Sequence, residues 1–415
     1  MKNPVAAIFA PRLWLSILFL LFMAGYAKAD AVEKASEWSF QTGFDAWRLY
    51  PSVKEDLEPG YVEANSNLLL PNSYATWNYK GNSPFARITG DVALTRDVSF
   101  SLKARADQNM GPRIDELDIT WALSPKLGFR AGVVDYKTSW CRTYETHSIW
   151  MREVDPLCST PQLRDITGGA PGLQAYTNAE WGDYLLQTQV GIYYPLLFHY
   201  APYEFGNVIV PPDSGTSVVS NHKAGVNLSA VNLQNGLEAR LSYIYAQQTA
   251  VTPSAQNTVQ QAYNLIYLGL SATVAPDTRL TLTGSWRNLN NAARSPLADP
   301  YNNEDLYMKF QTKVVELTRQ LDGKNQLGVS WGYVLINTDV NFVYNPVQAV
   351  YPAFVIPTHL YGLSWRHDYS KGLFTILEYL HSQAGTFSAS DVSGFDQQYY
   401  PSYGRALGFR LGYQY

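Results

Sequence analysis

The 415-residue sequence holds only two cysteines, Cys141 and Cys158, and five methionines. No CxxC pair occurs, so neither a structural zinc site nor a thioredoxin-like redox motif is expected. Past the N-terminal segment no apolar run approaches the 18 or so residues of a membrane-spanning helix. Basic residues are not clustered, which removes nucleic acid as a partner, because phosphate binding needs grouped Lys and Arg. Neither GxSxG nor HExxH occurs. There are six histidines, and only His147-Ser148 and His381-Ser382 place one beside a serine. Neighbouring residues on a strand point to opposite faces, so these pairs cannot act on each other. The chain is therefore expected not to be an enzyme, and no cofactor or metal is expected.

What is present begins with residues 1–29. Lys2 and Arg12 give a positive start, Leu13 to Gly25 is apolar, and Ala27-Lys28-Ala29 offers small residues around a cleavage point. That order describes a secretory signal peptide. One domain, 30–415, is expected to follow. Without Lys2, Arg12 and Lys28 it carries 28 basic against 35 acidic residues, a net charge of −7. In a secreted bacterial chain Cys141 and Cys158 are expected to form one disulfide.

The rest alternates between two textures. Runs of about ten residues show period-two hydrophobicity, as strands do when one face meets lipid and the other water. In Val98–Arg105, Phe100, Leu102 and Ala104 oppose Ser99, Ser101, Lys103 and Arg105. In Arg405–Tyr415, Leu407, Phe409, Leu411, Tyr413 and Tyr415 oppose Gly408, Arg410, Gly412 and Gln414. Tight turns fall at Thr95-Arg-Asp, Ser124-Pro-Lys, Trp181-Gly-Asp, Leu233-Gln-Asn-Gly, Ala275-Pro-Asp-Thr, Leu321-Asp-Gly-Lys and Tyr369-Ser-Lys-Gly. Between them lie longer polar stretches, near 51–84, 107–113, 138–171, 195–221, 248–260, 290–302, 340–357 and 384–401. The seven hairpins plus a strand at each end (about 38–50 and 402–415) predict an all-β, transmembrane antiparallel barrel of 16 strands. A hidden hairpin in 51–84 would make it 18. Helices aside, a closed barrel is the one structure that satisfies every backbone group in lipid. Trp121, Tyr243, Trp286, Trp331, Tyr333, Trp365 and Tyr379 stand near strand ends, where aromatic girdles meet the membrane interfaces.

Laid out this way, the chain resembles the Gram-negative outer-membrane porins. The resemblance rests on the terminal Phe409-Arg-Leu-Gly-Tyr-Gln-Tyr415, on the strand-turn-strand Ile119–Val133 and on the long loop after it. It implies an outer-membrane location, a homotrimer, and a passive channel for small hydrophilic solutes and ions. It also implies that Tyr415, as the aromatic last residue, is read by the barrel assembly machinery. The third outer loop, 138–171, would fold into the lumen and narrow it, carrying Glu145, Glu153, Asp155 and Asp165 and both cysteines.

With apolar faces outward, the lumen is expected to present Arg87, Lys103, Arg105, Arg130, Lys223, Arg240, Arg279, Arg287, Lys309, Lys313, Arg366 and Arg410. The expected inward acids are Asp45, Asp91, Glu116, Asp118, Glu180, Glu238 and Glu378. Lys103, Arg105 and Arg130 precede the third loop, so a basic wall facing loop carboxylates would set up a transverse field with a weak anion preference. The strands near Leu185, Tyr267 and Phe374 are apolar on both faces, and their registers stay open. Two other readings remain: a substrate-specific channel for a sugar, phosphate or organic acid, and a barrel enzyme such as a lipase.

Overall fold

The computed structural model describes residues 37–52, 82–107, 111–134, 148–151, 170–193, 217–252, 257–294, 303–344, 347–369, 372–384, 387–388, 398–399 and 402–415. The expected signal peptide, 1–29, lies outside them. The barrel strands are β1 (Glu37–Ser52), β2 (Asn82–Ala93), β3 (Val98–Asp107), β4 (Gly111–Ser124), β5 (Leu127–Val134), β6 (Ala170–Trp181), β7 (Tyr184–Tyr193) and β8 (Ser217–Asn232). They continue with β9 (Glu238–Thr252), β10 (Asn257–Ala275), β11 (Thr278–Arg294), β12 (Asn303–Gln320), β13 (Asn325–Tyr344), β14 (Val347–Asp368), β15 (Leu373–Ala384) and β18 (Ser402–Gln414). A separate two-stranded pair, β16 (Phe387–Ser388) and β17 (Gln398–Tyr399), lies between β15 and β18.

Every barrel strand runs antiparallel to its neighbours, and β1 pairs with β18 to close the ring at 16 strands. The seam is completed by Phe40 and Tyr415, which exchange backbone hydrogen bonds of 3.0 and 2.9 Å. Closure leaves no unpaired edge, so all ladder groups are satisfied without water.

Six of the seven expected turns lie wholly within the described residues, and of the seventh Tyr369 and Gly372 are described. Their residues explain them. Asp277, in the Ala275-Pro-Asp-Thr turn, takes a positive φ of 59°, which Asp tolerates better than most side chains. Gly372 has φ 81°, and a Cβ there would stand 2.0 Å from the Gln414 carbonyl oxygen, so only glycine fits. In the β12–β13 turn the Asp322 carboxylate accepts from the Lys324 N–H, the Asn325 N–H and Asn325 Nδ2 at 2.7–2.8 Å.

The other side of the barrel departs from expectation in one place. The stretch 340–357, expected as a loop, is mostly strand: β13 and β14 pair out to Tyr344 and Val347. Its sequence alternates Val340, Phe342 and Val350 with polar residues, and the pairing absorbs a register shift between Thr338 and Val340. Elsewhere the strand ends fall within a few residues of the expected loop bounds; β5 ends at Val134 and β6 begins at Ala170, around the third loop.

The alternation is borne out on β18. In β18, Leu407, Phe409, Leu411 and Tyr413 are exposed to the outside, while Ala406, Gly408, Arg410 and Gly412 are buried on the lumen side. The register corrects the sequence reading on β12. Thr312 bonds Ser285 of β11 across the inner wall, which fixes even-numbered β12 residues inward. Lys309 and Lys313 therefore face outward, not into the lumen. Turning Lys309 and Lys313 inward would send Thr312 and Val314 to the lipid, because a one-residue choice of face moves every side chain of a strand.

Candidate functional site

The inner wall of β3–β5 carries a tight ion cluster. Arg130 on β5 donates through Nε to Asp118 Oδ1 (3.1 Å) and through Nη2 to Asp118 Oδ2 (2.6 Å), and pairs with Glu116. Lys103 on β3 reaches the other Glu116 oxygen at 2.6 Å. The register makes this inevitable: Lys103 is opposite Glu116, Ser101 opposite Asp118, and Thr120 opposite Arg130. Period two then sends all four charged side chains to one face. Arg130, Glu116 and Asp118 are buried, and Lys103 is half-exposed.

In the ladder above, Arg87 pairs with Arg105 and Arg105 with Arg113 across β2, β3 and β4, and for Arg113 the strand position alone is given. The ladder shifts register between Lys103 and Ala104, so the alternation that assigns Glu116 and Asp118 does not carry through to Arg113.

Residues Ser148–Met151, the described part of the third loop, sit against the opposite wall. β5, from which the loop departs, and β14 are seven strands apart on a ring of 16, nearly a diameter. Trp150 lies over Gly328 of β13 and Gly362 of β14 and is 2% exposed. Met151 joins an inner-wall apolar cluster with Val334, Leu360, Phe374, Ile376, Leu380 and Ala406. Burial of side chains this size contributes upward of about 2 kcal/mol each. Three hydrogen bonds fix the backbone. Glu378 Oε2 accepts from the Met151 N–H (2.7 Å), the Ile149 carbonyl accepts from Ser364 Oγ (2.5 Å), and the Ser148 carbonyl accepts from Arg366 Nη1 (3.0 Å). Ser148 Oγ also caps the Trp150 N–H at 3.1 Å.

This docking explains why β15 reads as apolar on both faces: Phe374, Ile376 and Leu380 point inward, toward the loop tip instead of water. β10 resolves the same way, with Leu265 and Tyr267 inward and Ile266, Leu268 and Leu270 outward. On β7 the inward residues are Gln187, Gln189, Gly191 and Tyr193. Gln187, Gln189 and Tyr193 join Gln174, Asn178, Asn227 and Ser242 in neutral side-chain hydrogen bonds along β6–β9.

Glu378 and Arg366 are thus inward, as expected, but hold the loop. Arg366 also stacks on Phe374 (4.4 Å) and bonds Asp368. Arg410 makes a two-pronged contact with Asp45 (2.7 Å each) and lies over the Phe85 ring at 4.5 Å. Arg240 and Arg279 pair with Glu238 at 3.1 and 3.4 Å. Glu145, Glu153, Asp155, Asp165, Cys141 and Cys158 lie outside the described residues. For Arg105 the structure gives the strand position only.

No protein-family model matches the sequence, and no curated protein does. Solved structures with a similar course are outer-membrane proteins. The outer membrane protein OmpT of Vibrio cholerae, in its trimer form, is 10% identical, covers 92% of this chain and 99% of its own, and gives a TM-score of 0.48. The anion-selective porin of Comamonas acidovorans has the same identity, coverages and TM-score. Pseudomonas putida OprB is 10% identical over 92% of this chain and 95% of its own, at 0.48. The molecule's own geometry decides its class. A closed 16-stranded ring, apolar outside and polar inside, with Ser148–Met151 set against its inner wall, gives this chain the fold of an outer-membrane β-barrel.

Proposed function

We propose that the barrel is a passive diffusion channel for small hydrophilic solutes and ions, and not an enzyme. The observation that carries this is the third-loop tip docked on β13–β15, opposite a polar wall on β3–β5. A loop held across a polar lumen narrows it without closing the ring, and the charges on either side act on a partly dehydrated solute. In this reading Glu145, Glu153, Asp155 and Asp165 of the loop face Lys103, Arg130, Arg87 and Arg105. Lys103 and Arg130 are partly neutralised by Glu116 and Asp118, and Lys309 and Lys313 are outside. The selectivity expected of this basic wall is a weak preference for anions.

The signal 1–29 would be removed on export, Tyr415 would serve the assembly machinery, and Cys141–Cys158 would brace the loop. The working form would be a homotrimer. One observation favours a substrate-specific variant: the neutral amide wall of β6–β9, with the Tyr193 hydroxyl accepting from Gln174 Nε2 (3.1 Å), suits hydroxylated solutes such as sugars. Liposome swelling decides between them. A general channel admits sugars in order of size, whereas a sugar-selective one admits one sugar faster than a smaller neutral solute. Liposomes that fail to swell with any solute would overturn both.

A further inference from the structure

The neutral stretch of the inner wall has an aromatic centre. From Gln174 to Asn178 on β6, Gln187 to Gly191 on β7 and Gly225 to Ser229 on β8, the inward residues carry no charge. The neighbouring cation, Arg130 opposite Gln174, is taken up by Asp118 and Glu116. In the middle stands Tyr176, paired with Gly128 on one side and Gln189 on the other. A Cβ on Gly128 would meet the Tyr176 hydroxyl at 2.3 Å and two ring carbons at 2.4 and 2.7 Å. The ring therefore lies over the bare backbone of Gly128, where a side chain would otherwise sit. It is half-exposed, as are Asn178, Gln187 and Ser229. Asn178 Oδ1 accepts from Gln187 Nε2 at 3.0 Å, and Gln187 Oε1 accepts from Gln189 Nε2 at 3.1 Å. These bonds fix the amides and leave Asn178 Nδ2 with no acceptor among the described residues.

Position makes this arrangement informative. β6 and β14 are eight strands apart on the ring of 16, a full diameter. Tyr176 stands five residues above Trp181 at its periplasmic turn, and Ser364, which holds the loop tip, stands five above Tyr369 at the turn of β14. Tyr176 and the docked tip therefore face each other at one height across the lumen. A solute crossing there meets an aromatic ring, held amides and no uncompensated charge. A closed-ring sugar matches that combination, with an apolar C–H face for the tyrosine and a rim of hydroxyls for the amides, which both donate and accept. An ion gains nothing from it, and an open-chain polyol has hydroxyls but no such face.

We infer that Tyr176 is the stacking platform of a saturable site for a neutral pyranose, with Asn178 and Gln187 on the sugar hydroxyls. The site deepens the sugar-selective reading above and rests on it. The test is a titration of the full-length barrel, purified in a detergent without a sugar headgroup, with glucose and with sorbitol. Sorbitol has the same carbon count but no closed ring, and the readout is saturation-transfer NMR on the sugar C–H protons. The wild type should show saturable transfer to glucose and little to sorbitol. Tyr176→Phe should retain the glucose affinity, and Tyr176→Leu should weaken it roughly three- to tenfold, the range that aromatic contacts supply. Gly128→Ala should weaken it as well, because the new methyl displaces the ring without removing it. Equal transfer to sorbitol in the wild type overturns the proposal and needs no variant. Undiminished glucose affinity in Tyr176→Leu overturns it too, since the sugar would then sit elsewhere. Liposome swelling separates this site from the channel reading. Swelling without glucose transfer overturns the site alone, and glucose transfer without swelling overturns the channel alone.

Discussion

Trp150 fills the space that a side chain at Gly328 would need: a Cβ on Gly328 would stand 2.7 Å from the indole Cζ2. A Cβ on Gly362 would be 3.2 Å from the same ring. The loop tip therefore depends on two bare positions of the far wall. Gly328→Val should expel the indole while leaving the ladder intact, since valine suits a strand. Unit conductance and current noise are expected to rise in planar bilayers, with an unchanged β circular dichroism spectrum. Conductance identical to wild type would mean that the docked tip does not limit the pore.

Arg130 is held by two carboxylates, and removing it strands Asp118 and leaves Glu116 to Lys103 alone. Arg130→Met should cost about 3–5 kcal/mol of barrel stability, as breaking a buried charge network does. The pair Glu116→Gln, Asp118→Asn has the opposite electrostatic effect: it leaves Lys103 and Arg130 uncompensated and should move the reversal potential toward anion selectivity. The measurements are urea unfolding in micelles for the first and a salt-gradient recording for the second.

Much of this was legible in the sequence because lipid imposes a strict period. Leu407, Phe409 and Leu411 cannot face water in a barrel, so Arg410 had to face inward, and it does. The turn residues, Asp277 and Gly372 among them, gave the strand count. Reading failed where the period carried no contrast. In β15 the inward Phe374, Ile376 and Leu380 look like lipid-facing residues because they are covered by Trp150 and Met151, about 220 residues distant in the chain. On β12 the outward face bears lysines near the interface and the inward face bears Val314, so the two faces appear exchanged. The loop anchor itself had no local signal: Arg366 and Glu378 read as ordinary charged inward positions.

Asp322 gives a pH dependence confined to one turn. Its hydrogen bond from Asn325 Nδ2, then those from the Lys324 and Asn325 N–H groups, hold its carboxyl below the usual carboxylate range. With the folded value depressed, the stabilisation is present above the ordinary carboxylate value and is lost as pH falls through the lowered one. Thermal stability of Asp322→Asn should match the wild type at strongly acidic pH and fall behind it from weakly acidic pH upward. A constant difference across that window would assign the effect to packing instead.

The cysteine pair offers a test of the loop's independence from the wall. A disulfide closing the 16 residues between Cys141 and Cys158 would stabilise by roughly 3 kcal/mol in the chain-entropy picture. The ring is already closed by β1 and β18, so the barrel does not need that contribution. Cys141→Ser with Cys158→Ser should leave yield and heat-modifiability nearly intact and raise channel noise and the solute size limit. Failure to assemble, with unchanged conductance in any survivors, would make the loop a scaffold part.

The most direct test is single-channel recording of the purified wild-type protein in planar bilayers. A diffusion channel predicts stepwise, persistent conductance that needs no ligand and scales with bulk salt conductivity. An electrically silent protein, in samples that still show the heat-modifiable mobility of a folded barrel, would contradict it.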